Sequence, residues 1–96
     1  MENEQAYKEV INTIIESKVK AFGQLAINKA KIINGLTVDN QGNVGSISGD
    51  PKTVIHNLLI TYEEICGRVS TISARTVTAR LRRNKYPNLE LPKELS

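Results

Sequence analysis

From Ala6 to Asn34 the apolar side chains return every three or four residues, at Ile11, Ile15, Val19, Phe22, Ala26, Ala30 and Ile33. Lys8, Glu16, Lys20, Gln24 and Lys31 fall largely between them, so one stripe is hydrocarbon and the remainder polar. That period predicts one amphipathic α-helix over residues 6–34, with Gly23 as its only weak point. Asn34-Gly35 then makes a helix stop, since glycine takes the left-handed conformation cheaply. No other feature restricts the fold as strongly, because a helix of about 30 residues is a rod roughly 45 Å long.

A second helix is predicted over residues 51–85. Asp50 caps its free amides and Pro51 occupies its first position. Leu58, Tyr62, Ile65, Val69, Ile72, Thr76 and Ala79 follow at alternating spacings of four and three, a heptad seam. Pro87 ends the helix near Tyr86 by disfavouring helical backbone before it. Between the rods, "LTVDNQGNVGSIS" reads as a β-hairpin over residues 36–48. A two-residue turn at Gln41-Gly42 pairs Asn40 with Asn43, Val38 with Gly45 and Leu36 with Ile47, which puts Leu36, Val38 and Ile47 on one face. Residues 87–96 are expected as an extended tail whose Leu89 and Leu91 dock on the helices.

The expected architecture is thus mainly α: two long helices joined by a short β-hairpin, α-β-β-α, in one domain spanning residues 1–96. Two such rods bury only one stripe each. Ile55, Leu59, Cys66, Ser73 and Val77 widen the second stripe beyond what one partner helix covers. Pairing two chains into a dimeric four-helix bundle removes the excess, with Leu58, Tyr62, Ile65, Val69 and Ile72 as the dimer seam.

The glycine-rich "GNVGSISGDPKT" has the composition of a phosphate loop but not its spacing. In a Walker A loop the lysine directly follows the glycine, whereas here Asp50 and Pro51 intervene. An EF-hand loop from Asp39 to Asp50 fails too, with Val44 at the glycine position and Asp50 in place of the closing glutamate. His56 has no metal-ligating residue at three- or four-residue helical spacing, and Cys66 beside the seam reads as a buried, inert thiol. No hydrolase, zinc-protease or redox motif is present. The expectation is a non-catalytic protein with no cofactor and no metal.

No apolar run approaches the roughly 20 residues that cross a bilayer, and the first ten residues are polar and acidic. A single cysteine excludes an internal disulfide. These features give no membrane association and a cytoplasmic location as the expectation.

Charge supplies the remaining direction. The net charge is +3, but residues 1–50 hold five bases against six acids and residues 51–96 hold eight bases against four acids. Five of those bases crowd into the acid-free "ARTVTARLRRNK". Arg75, Thr78, Arg80, Arg82, Arg83 and Lys85 are therefore the candidate contacts for an acidic protein surface or nucleic acid. "YEEICGRVSTISARTVTARLRR", residues 62–83, resembles the helix-turn-helix of bacterial and archaeal transcription regulators. Ile65, Val69, Ile72, Val77 and Leu81 would be its apolar pins, and Ser73 would cap a recognition helix from Ala74 to Arg83. The resemblance implies a small DNA-binding regulator in which Arg75 and Thr78 read base edges. The heptad, which keeps its phase through residues 69–76, predicts instead one unbroken helix. That favours a homodimeric interaction or regulatory module whose basic helix end meets an acidic partner.

Overall fold

The computed structural model describes residues 2–95. Met1 and Ser96, the ends of the expected domain, lie outside the described residues. In order, the elements are α1 (Glu2–Phe22), α2 (Gln24–Lys31), β1 (Leu36–Val38), β2 (Val44–Ile47), α3 (Pro51–Cys66), α4 (Val69–Lys85) and a 3-10 turn at Lys93–Leu95. The chain is mainly helical, with one two-stranded antiparallel hairpin.

The two long rods are replaced by two bent pairs. Each predicted helix breaks at a glycine with positive φ, Gly23 at 62° and Gly67 at 75°. At both points the glycine amide still closes the preceding turn at 2.7 Å, on Val19 O and Glu63 O respectively. The next peptide then leaves the helix axis. The described chain measures 31 × 25 × 19 Å, too short for a 45 Å rod. Folding the rods back lets α1, α3 and α4 bury one another's apolar surface within a single chain. Tertiary packing of this kind outweighs the weak propensity of a short segment to continue as helix.

The break at Gly67 also resets the apolar phase. Leu58 and Tyr62 are fully buried, but the inward stripe of α4 is Ser70, Thr71, Ala74 and Thr78 rather than Val69 and Ile72. Around it lie Val10, Ile11, Ile14 and Ile15 of α1, Ala26 and Ala30 of α2, and Ile55 and Leu59 of α3. A polar tie between α3 and α2 crosses this core: the Tyr62 hydroxyl donates to Ala26 O at 2.8 Å, and burial raises its pKa.

The hairpin rests on α1 and α2. Leu36 pairs with Ile47 as expected, Thr37 pairs with Ser46, but Val38 pairs with Val44 and not Gly45. The connection is the three residues Asn40, Gln41 and Gly42, closed by Gly42 N on Asp39 O (3.1 Å) and Asp39 N on Asn43 O (3.0 Å). Gly42, with φ 89°, is the left-handed residue that ends such a turn. Gly45 is consequently the extra residue of a β-bulge, which brings both Val44 and Ile47 against the core although they are three apart. The Asp39 carboxylate accepts from the amides of Asn43 and Gln41, both at 2.9 Å, and these bonds hold its pKa below the usual value.

At α3 the cap is as expected. Asp50 accepts from Lys52 N and from the Thr53 hydroxyl, with Pro51 at the helix start. The C-terminal segment is folded down, not simply extended: Leu89, Leu91 and Leu95 are buried in the same core. Its polar ties reach α1 through Tyr7 Oη on Glu90 O (2.7 Å) and α3 through Lys52 on Glu90 and His56 on Glu94, both 2.9 Å.

Candidate interaction surface on α4

Helix α4, VSTISARTVTARLRRNK, contains no acid. With Ser70, Thr71, Ala74 and Thr78 turned inward, helical geometry leaves Val69, Ile72, Ser73, Thr76, Arg80 and Arg83 along the opposite side, all exposed. This outward face has two zones. Its beginning is apolar, with Val69 68% and Ile72 58% exposed. From Arg75 onward it is basic.

The candidate contact residues separate into groups. Arg80 and Arg83 are exposed, and neither makes an ion pair among the described residues. Arg75 is exposed but donates its Nε to Glu94 O at 3.0 Å. Lys85 pairs with Glu9 at 3.1 Å, and the same carboxylate accepts from the Tyr86 hydroxyl. The Tyr86 bond, then Lys85, holds the Glu9 pKa below the usual carboxylate value. Arg82 is half-buried, with its Nε out of solvent and unpartnered among the described residues. Thr78 requires a correction. It is 0% exposed, and its hydroxyl donates back to Ala74 O at 2.7 Å, so it contributes to the core and not to the outward face. The cause is the phase reset at Gly67, which puts Thr78 four residues after inward-facing Ala74.

The seam residues separate likewise. Leu58 and Tyr62 are covered by their own chain and Ile65 is half-buried against its core, while Val69 and Ile72 stay uncovered. The chain turns at Gly67 and Arg68, so α4 starts five residues before Ala74 and Ser73 lies inside it.

Two residues of this region are absent from the contacts expected from the sequence. Arg68, exposed at the bend, adds a base to the apolar end of the face. Lys18 of α1 is only 4% exposed and reaches under α4, its Nζ donating to Ser70 O at 2.7 Å. Its spacing was a legible signal: seven after Ile11, four after Ile14 and three after Ile15, it lies on the buried stripe.

Among the described residues no group of three His, Cys, Asp or Glu side chains is placed to hold a metal ion, and no helix is long and apolar enough to cross a membrane. No protein-family model, curated protein or solved structure matches the chain.

Proposed function

We propose that this chain is a non-catalytic interaction module that works through the outward face of α4. Its apolar end, Val69 and Ile72, meets the same face of a second copy, and its basic end, Arg75, Arg80 and Arg83, meets an acidic partner. The observation that carries this reading is the joining of the two zones on one exposed, acid-free helix face. A monomeric protein gains nothing in stability by exposing two β-branched residues one turn apart, and burying them against a second copy removes them from water. The neighbouring arginines supply long-range attraction for an anionic surface.

Light scattering after size exclusion tests the first half. Wild type should self-associate at about tens of micromolar, and Val69→Asp with Ile72→Asp should be monomeric with an unchanged circular dichroism spectrum. A wild type that stays monomeric at those concentrations overturns the homodimer.

Arg80→Glu with Arg83→Glu tests the second half: it should abolish retention on a polyanionic column while leaving melting unchanged. A second reading, DNA binding through α3, the Gly67–Arg68 turn and α4, is favoured by the exposure of Arg75, Thr76, Arg80 and Arg83 on the second helix. It requires a sequence-selective loss of duplex binding on Arg75→Ala. A loss that is equal for all sequences and shallower in salt is the electrostatic outcome.

A further inference from the structure

Beneath the start of α4, on the side facing α1, lies an open cleft lined by Lys18, Ala21, Phe22, Cys66, Val69 and Ser70. Two of its features lack a negative charge or an acceptor. Lys18 is buried, yet its ammonium touches only the carbonyl of Ser70, and none of the ion pairs among the described residues involves it. An ammonium has three donors, and isolating one from water without a counter-charge is costly. The Ser70 hydroxyl is 1% exposed and has no hydrogen-bond partner. The remaining wall combines the hydrocarbon of Ala21, Phe22 and Val69 with Cys66, Ser17 and Ser73.

We infer that this cleft binds a small organic carboxylate, whose oxygens take the Lys18 ammonium and the Ser70 hydroxyl while its hydrocarbon part lies on Ala21 and Phe22. A charge-assisted pair of this type is strongest where water is excluded, as it is around Lys18. The cleft has a volume of about 210 Å³, room for a short chain of a few carbons. Phosphate fits less well, because it has no apolar part for the Ala21 and Phe22 side. Burial pushes the Lys18 pKa down and nearby Cys66 acts the other way, and an incoming carboxylate would further favour the charged form.

The experiment is calorimetric titration of the full chain with hexanoate, hexanamide and inorganic phosphate. Hexanoate should saturate the protein at millimolar concentration or below, with hexanamide at least tenfold weaker and phosphate unable to compete. Lys18→Met should lose at least tenfold in hexanoate affinity and melt no lower than wild type, since it removes an unpaired buried charge. Ser70→Ala should lose several-fold. Equal binding of hexanoate and hexanamide, retention of hexanoate binding by Lys18→Met, or displacement of hexanoate by phosphate would each overturn the site. Ile32→Asn, exposed and outside the cleft, should bind hexanoate as wild type does; a loss there would put the ligand on another apolar patch and equally refute the inference. The three-ligand comparison on wild type decides the matter even if Lys18→Met fails to fold.

Discussion

At Gly67 one residue determines where half the chain goes. A Cβ added there meets no atom within 4 Å, so Gly67→Ala tests backbone conformation alone. Holding φ at 75° and ψ at −165°, a region essentially restricted to glycine, costs an L side chain about 1–3 kcal/mol, and urea denaturation of the variant should show a loss in that range. Gly35→Ala should cost more, because its Cβ would stand 2.5 Å from Ser48 O in addition to a φ of 85°. A Gly67→Ala protein as stable as wild type would mean that the helix runs on through the bend. Asp50 offers a milder test: Asp50→Ala removes the acceptor of Lys52 N and of the Thr53 hydroxyl, and should cost about 1 kcal/mol. Lys18 shows what a side-chain reading misses. Its position on the Ile11–Ile14–Ile15 stripe was visible, but a lysine on a predicted helix is by default assigned to water. Only the neighbouring Ser70 carbonyl shows that it is not.

Elements were legible where a local rule governs them and illegible where the partner decides. Helical periodicity located the two helical regions, each of which the structure divides in two, and Asp50-Pro51 located the start of α3. Turn chemistry located the hairpin and the Leu36–Ile47 pair. What periodicity does not contain is whether a glycine inside it bends the helix. Gly23 was visible as a weak point, whereas Gly67 was hidden because Val69 and Ile72 happen to continue the heptad. The exposed face of α4 was therefore mistaken in phase, and with it Thr78. The C-terminal segment is the element whose contribution is easiest to underestimate. Leu95 is 2% exposed and only one residue from the end of the chain, so Leu95→Ala should cost about 2–3 kcal/mol by urea denaturation if the segment is part of the core. A loss below about 0.5 kcal/mol would make it a surface appendage.

Two carboxylates fasten the same segment, Glu90 through Lys52 and Glu9 through Tyr86 and Lys85. Both have pKa values lowered in the fold from 4.5, so they stabilise it fully above that pH and the contribution is lost as pH falls through the lowered values. Hydrogen exchange should accordingly show residues 86–95 loosening below about pH 4.5 ahead of α1. Glu9→Gln with Glu90→Gln should flatten that dependence.

For the whole molecule, the bend at Gly67 changes why a second copy would be needed. Two 45 Å rods require a partner to cover them, but the folded chain has a Cα radius of gyration of 11.9 Å, close to the roughly 12.5 Å expected for a compact chain of this length. Leu58 and Tyr62 find cover within the chain. Self-association, if it depends on Val69 and Ile72 alone, must then be separable from folding. Ile65→Asp puts a carboxylate against the core and should unfold the protein, because a domain with total stability of about 5–15 kcal/mol has little margin for a buried charge costing several. Ile72→Asp puts the same carboxylate on the exposed face and should leave the melting of dilute protein unchanged while removing concentration-dependent association. Circular dichroism melts and small-angle scattering on both variants across a concentration series separate the two effects. Unfolding of Ile72→Asp at every concentration would mean that the outward face of α4 is part of the fold itself, and that the two-zone surface is not free to bind a partner.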